Sequence, residues 1–577
     1  MDLKLMEAAP TAHEAALIQT LAPPAEVDEG RTVRGGRIAR SLRHLLLPLL
    51  DAVQSEIGWV SQGAINEIAR RLAVPPAEVY SVASFYALIS TEERPARVAH
   101  ICDDIACRTA GGSGLFAALA DRDDVVESPC LGQCDRRPAV HIQRAGEPDL
   151  TITGAGLEQV VAALDDGWEP DADPGDAAPQ SSGRRVLAGV GRVDPTSLDS
   201  YRAEGGYRGL ARAVEIGPQG VIEALETSGL KGRGGAAFPT GVKWRAVHDA
   251  VSDQKYVICN ADESEPGTFK DRVLMEGDPF AVVETLTIAG FSVGATRGFI
   301  YLRGEYPRAT RLLHDAIRQA RAAGLLGPNV MEAGFEFEIE LRRGQGAYIC
   351  GEETALMNSI EGYRGEPRQK PPFPTEAGLF GRPTVINNVE TLVNVFDVLE
   401  DPNAFAARGT PGSTGTRLFC VSGDVGTPGV YEAELGTTLG EVIEMAGGPT
   451  GAIRTVLLGG AAGSFVGPDM LALPLTFEHT RDAGLSLGSG VVMVFDDGRD
   501  MADVVRRIAR FFRDESCGQC VPCRVGTQRV EEAVARGASS EAVLIGELDR
   551  AMRDASICGL GHTAASAVQS AIRLGLV

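Results

Sequence analysis

The chain has 577 residues, too many for one hydrophobic core, and its length alone suggests about four domains. Lys and Arg total 55 against 78 Asp and Glu, a net charge of −23 that repels phosphate backbones and anionic lipid, so nucleic acid and membrane surfaces are poor partners. No apolar run reaches the roughly 20 residues of a membrane helix. The start "MDLKLMEAAPTAHEAAL" carries Asp2, Glu7 and Glu14 rather than a basic targeting pattern, so a cytoplasmic protein with no direct membrane insertion is expected.

Residues 1–95 are predicted to be mainly helical. In "IGWVSQGAINEIARRLAVPPAEVYSVASFYAL" apolar residues recur at spacings of three and four, and Pro75 and Pro76 restart a helix. Arg31, Arg34, Arg37, Arg40 and Arg43 step by three just before, which reads as a solvated helix face. Residues 96–164 alternate strand-like runs ("ARVAHIC", "DVVES", "AVHIQ", "DLTITG") with helix-like stretches, the pattern of a small α/β domain. Residues 165–185, "DDGWEPDADPGDAAPQSSGRR", have no periodicity and read as a linker. Residues 186–410 form a larger Gly-rich α/β domain, with strands such as "KYVICNA" and "GFIYLRG" and helices such as "RATRLLHDAIRQARAAG". Strands with turn signals dominate 411–497, and 498–577 are mainly helical.

Eleven cysteines in a reducing compartment are read as metal ligands or buried thiols. "ESCGQCVPCRVG" places Cys517, Cys520 and Cys523 at C-x2-C-x2-C spacing, and Cys558 in the later "SICGLGH" is the natural fourth ligand. Four thiolates suit a tetrahedral zinc or a [4Fe-4S] cubane, and the compact triplet favours the cubane. Cys102 and Cys107 in "ICDDIACRTAGG", with Cys130 and Cys134 in "PCLGQCDRRPAV", fit a [2Fe-2S] centre, a zinc knuckle being the alternative. Cys259, Cys350 and Cys420 stand alone in apolar runs as small buried hydrophobes.

"GLKGRGGAAFPTGVKW" (229–244) concentrates glycines that let backbone amides approach an anion. Its "GRGGAA" fits the loose dinucleotide pattern G-x-G-x-x-A, but "GVIEALETSG" before it reads as a helix rather than the required strand. "NADESEPGTFKDR", "GAYICGEETALMNSIEG", "KPPFP" and "VINNVET" interrupt strands and helices of the same domain with polar groups, and are expected to converge on a ligand.

Taken in order, these motifs and the terminal cysteines resemble the NADH-oxidising flavoprotein subunit of respiratory complex I and its soluble relatives. The "CDDIACRTAGG…CLGQC" region is similar to the thioredoxin-like [2Fe-2S] subunit that accompanies it. The resemblance covers nearly the whole chain apart from the first forty or so residues and the linker. It implies a multidomain α/β protein: a helical plus thioredoxin-like [2Fe-2S] domain, a Rossmann-like FMN domain, a β-grasp domain and a C-terminal helical bundle with [4Fe-4S]. It implies FMN contacts from Gly232, Arg233, Gly234, Lys243, Asn260, Asp262, Glu263, Tyr348, Gly351, Glu352, Asn387, Asn388 and Thr391, and NAD contacts from Phe238, Glu265, Glu353, Lys370 and Phe373. A carboxylate near the ribose opposes a 2′-phosphate, so Glu265 points to NAD over NADP.

Two positions depart from the family. Ala237 replaces a usual glycine, and Ala246 stands where relatives often carry an aromatic residue. Hydride transfer moves two electrons, whereas clusters accept one at a time, so the implied flavin converts between them and no classical catalytic acid or nucleophile is required. Fusion of two complex I-like subunits in one chain resembles soluble NAD-linked enzymes. The favoured partner is a molybdenum or tungsten formate dehydrogenase catalytic subunit with further iron–sulfur clusters; the alternatives are a nickel–iron hydrogenase or a place as the NADH dehydrogenase subunit of a complex I-like enzyme.

Overall fold

The computed structural model describes residues 7–22, 42–170 and 184–577. Most of the expected linker, and Arg31, Arg34, Arg37 and Arg40 of the arginine series, lie outside the described residues. Arg43 is not merely solvated. It pairs with Glu78 at 2.7 Å, lies 3.9 Å over the Tyr363 ring and donates to the Gly362 carbonyl, tying the N-terminal helices to the central domain.

Those helices are Ala12–Leu21, Leu46–Ile57, Gln62–Leu72 and Pro76–Ala83. Thr11 and Ser61 cap two of them through side-chain oxygens, and Pro76 opens another where its missing N–H costs nothing. A four-stranded sheet follows, with β1 Arg97–Cys102, β2 Val125–Ser128, β3 Ala139–Arg144 and β4 Leu150–Thr153. Its order is β2-β1-β3-β4, with β1 and β2 parallel and the other pairs antiparallel.

The central domain holds β5 Tyr256–Ala261, β6 Arg297–Leu302, β7 Glu338–Arg343 and β8 Thr384–Asn388, all parallel in the order β7-β6-β5-β8. Helix Pro279–Val293, buried at every residue except Phe291, has no polar face because it packs between the sheet and neighbouring helices. After the short pair β9 Gly409–Thr410 and β10 Ser413–Thr414 comes a five-stranded sheet. It comprises β11 Thr416–Gly423, β12 Gly429–Glu434, β13 Ile453–Leu458, β14 Ser464–Val466 and β15 Val491–Asp496, ordered β12-β11-β15-β13-β14. Its separate core includes Phe419, Val442, Ile443 and Val494.

Five helices, Met501–Asp514 through Ser566–Arg573, complete the chain. The first pins the small α/β domain: Arg507 pairs with Asp104, Arg510 with Glu127, and Asp503 with Arg108. Among the described residues, no helix is long and apolar enough to cross a membrane.

Candidate functional site

The order β7-β6-β5-β8 fixes where a ligand can bind. The chain winds outward from β5 through β6 to β7, then returns to the opposite side of β5 as β8, so the topological switch point lies between β5 and β8. Ligands of open α/β sheets lie in the crevice beyond the carboxyl ends of such strands. Asn260 and Asn388 face each other there in register, with Asp262 and Asn387 alongside.

The Gly-rich segment leads into this crevice from helix Arg208–Ser228, not from a strand, as its failed dinucleotide match suggests. Its ends are pinned by Gly232 N–H to Phe238 O at 2.9 Å and Thr240 N–H to Leu230 O at 2.9 Å. A Cβ on Gly234 would come within 3.0 Å of the Asn388 side chain, so glycine lets the loop approach β8 without displacing Asn388. Ala237 adopts φ +52°, a left-handed conformation that explains why a glycine suits this position.

Two adjoining lobes open at the switch point. An outer cavity of about 590 Å³ is lined by Gly232, Phe238, Lys243, Glu353, Lys370, Phe373, Asn387 and Thr391. An inner cavity of about 500 Å³ is lined by Asp262, Glu263, Glu265 and Tyr348. Gly234, Asn260, Gly351, Glu352 and Asn388 border both. All but one of the eighteen nucleotide-contact residues expected from the sequence therefore meet here. Arg233 lines neither lobe: its guanidinium is buried on the far side of the loop, donating to the carbonyls of Lys231 and Thr414. Ala246 is exposed and lines neither lobe.

Electrostatics distinguish the lobes. At the outer rim Phe238 and Phe373 are about half exposed, and Lys370 bridges Glu353 at 2.6 Å and Glu352 at 3.1 Å. Lys243 donates to the Ile386 carbonyl at 3.0 Å, and burial lowers its pKa. In the inner lobe Glu265 accepts from the Tyr348 hydroxyl and the Ala462 N–H, while burial still raises its pKa to about 7. Burial likewise lifts Asp262 to about 8. Glu263 caps helix Lys270–Gly277 by accepting the Asp271 and Arg272 N–H groups, and burial followed by the nearby Asp271 charge raises it to about 8.

Flavin and dinucleotide fit this donor set. Asp262 Oδ2 is buried without a partner at the inner lobe, glycines leave both lobes open, and aromatic rings and lysines stand at the outer rim. Three supporting residues escape the sequence reading. Lys270 lines the inner lobe and contacts Asp271, Glu390 and Asn388, and the buried Trp244 indole donates to Asn387 Oδ1 at 2.8 Å. Their signal is only a basic residue in "TFKDR", an acid in "NNVET" and a tryptophan after Lys243.

Cys517, Cys520, Cys523 and Cys558 line one small enclosure; Cys520 and Cys558 stand immediately before helices Val521–Gly537 and Gly559–Thr563. Among the described residues no three His, Cys, Asp or Glu side chains converge on a single metal ion. All four thiols line that one enclosure, and the compact Cys517–Cys520–Cys523 triplet favours a cluster over a single zinc ion. Cys102 ends β1, Cys107 lies in the turn of helix Ile105–Arg108, and Cys130 and Cys134 follow β2 with sulfurs 3.5 Å apart. All four are buried. Ile349 and Leu560 line both the inner lobe and the enclosure of the terminal cysteines, so a single layer of side chains separates those sites.

Four regions of the chain match known domain families. Residues 38–164 match the thioredoxin-like [2Fe-2S] ferredoxin family and 225–397 the Nuo51 FMN-binding domain. Residues 418–456 match the SLBB domain and 503–574 the NADH-ubiquinone oxidoreductase-F iron-sulfur binding region. The fold and sites thus define a flavin- and cluster-binding oxidoreductase subunit.

The chain is 36% identical over 564 residues to the NAD-reducing hydrogenase HoxS subunit alpha of Cupriavidus necator, covering 91% of this chain and 89% of that protein. It is 42% identical over 398 residues to an NADH-quinone oxidoreductase subunit of Rhizobium meliloti, covering 67% and 94% respectively. A crystal structure of NAD+-reducing [NiFe]-hydrogenase in the H2-reduced state aligns with TM-score 0.80 and 32% identity, covering 92% of this chain and 91% of that one. The chain belongs to the family of FMN- and iron–sulfur-binding, NADH-oxidising diaphorase subunits of complex I-like enzymes.

Proposed function

We propose that this chain is the diaphorase subunit of a cytoplasmic NAD-linked complex, passing electrons between NAD(H) and the iron–sulfur clusters of a catalytic partner. The observation that carries the reading is the shared wall of Ile349 and Leu560, which sets the inner lobe directly against the [4Fe-4S] cysteines. When bound, FMN supplies exchange between two-electron hydride and one-electron chemistry. The protein's own task is to bind and orient. Phe238 and Phe373 offer ring faces to the nucleotide, Lys370 and Lys243 offer charge to phosphates, and the residues common to both lobes hold the flavin.

The full-length correspondence with the hydrogenase subunit, including the fused [2Fe-2S] region, favours a nickel–iron hydrogenase partner over the formate dehydrogenase partner suggested by fusion alone. Anaerobic purification of the tagged chain with its native partners tests this: hydrogen-driven NAD reduction is expected, and formate-driven reduction would select the molybdenum or tungsten partner instead. NAD is preferred over NADP. Glu265 lines the inner lobe, and a carboxylate near the ribose opposes a 2′-phosphate. Equal or better kcat/KM with NADPH would contradict the preference.

A further inference from the structure

The central domain reaches into the [2Fe-2S] loop with buried charge. Arg303, immediately after β6 and 2% exposed, donates to the Cys130 carbonyl at 2.6 Å and to the Glu263 carbonyl at 2.6 Å. The same guanidinium is held by buried Glu305 at 2.8 and 3.2 Å. One side chain therefore touches both a [2Fe-2S] ligand and a residue lining the inner flavin lobe.

Two further contacts fix the loop. Arg272 donates to the Gly132 carbonyl at 3.1 Å, and the Tyr306 ring packs so tightly on Gly132 that a Cβ there would lie 2.1 Å from its hydroxyl oxygen. Tyr306 in turn donates to Glu263 at 3.2 Å. So held, the Gly132 N–H points at Cys130 Sγ, 3.4 Å away. Net charge and hydrogen bonds at the sulfurs are the means by which a protein sets a cluster's potential, and in a buried site they are weakly screened.

We propose that the Arg303–Glu305 pair is a positioning element that sets the reduction potential of the [2Fe-2S] centre and holds that centre in register with the flavin lobe. Reduction places one electron, and hence one negative charge, on the cluster. Arg303 favours that state and Glu305 opposes it, so the pair balances the site. The inference rests on the [2Fe-2S] assignment and is independent of which catalytic partner the chain serves.

The test is an EPR-monitored dithionite titration of the reconstituted full chain, at a temperature where the [2Fe-2S] signal alone is observed. Glu305→Gln leaves Arg303 uncompensated and is expected to raise the reduced-to-oxidised ratio at fixed ambient potential about tenfold, or about 59 mV for one electron. Arg303→Met is expected to lower it by a similar factor, and the Arg303→Met/Glu305→Gln double variant to return within about threefold of the unmodified protein. Shifts of the same sign in both single variants, or shifts below threefold, overturn the proposal. If Arg303→Met does not assemble, Glu305→Gln and the double variant decide by the same criteria. Absence of any [2Fe-2S] signal from the unmodified protein overturns the assignment of the centre, whereas a signal that does not move overturns the tuning alone.

Discussion

The Trp244 indole N–H donates to Asn387 Oδ1 at 2.8 Å, fixing which face of that amide the outer lobe receives. Trp244 is wholly buried in helix Thr240–Asp249, whereas Asn387 is the next-to-last residue of β8 at the switch point. The helix that follows the Gly-rich loop thus orients the opposite wall of the same cavity.

Trp244→Phe keeps the aromatic packing and removes this donor. One such hydrogen bond is worth about 1 kcal/mol, so flavin affinity should fall by about three- to tenfold with the fold intact. Fluorescence titration of flavin-stripped protein measures this, and unchanged affinity would show that the Asn387 orientation is not used.

Lys370 sits on two carboxylates at the mouth of the outer lobe and is placed to meet a nucleotide phosphate. Lys370→Met should raise KM for NADH by about 10- to 100-fold, the loss of a charge-assisted hydrogen bond of about 1.5–3 kcal/mol. Flavin content should stay the same. Steady-state kinetics with an artificial acceptor separate the two, and a fall in flavin occupancy with KM unchanged would assign Lys370 to the flavin instead.

Asp262 gives a pH dependence of definite sign. Its folded pKa, about 8, lies above the usual 3.8, so the folded flavin-free protein binds more protons than the unfolded chain between these values. Its contribution to stability is therefore present at low pH and lost as pH rises through about 8. Asp262→Asn mimics the protonated form. In the flavin-free state its Tm advantage over the unmodified protein should widen between pH 6 and pH 9, and a gap independent of pH would contradict a neutral Asp262.

The cysteine constellations were legible in the sequence because their spacing is local: the triplet and each pair fall within a few residues of chain, and the strands beside Cys102 and Cys130 carry clear β patterns. Each nucleotide-site motif was likewise local, and its polar groups interrupting a strand or helix suggested a shared ligand crevice. Contacts between distant segments were not. The Cys130–Arg303 contact spans 173 residues, Glu265 is drawn into the inner lobe partly by the N–H of Ala462, and Ile349 meets Leu560 only when the central and C-terminal domains pack. Arg233 shows the converse: its motif position suggested a ligand contact, but the carbonyls of Lys231 in the loop and of Thr414 in β10 claim the guanidinium.

Electrons are proposed to pass between the nucleotide site and a partner through a cluster held by Cys517, Cys520, Cys523 and Cys558. Cys520→Ser in the native complex tests it most directly, by EPR of the anaerobically reduced protein alongside flavin content and NADH turnover with artificial and native acceptors. Loss of the [4Fe-4S] signal and of partner-linked turnover is expected, with flavin retained. An unchanged signal, or partner-linked turnover that survives loss of the cluster, would contradict it.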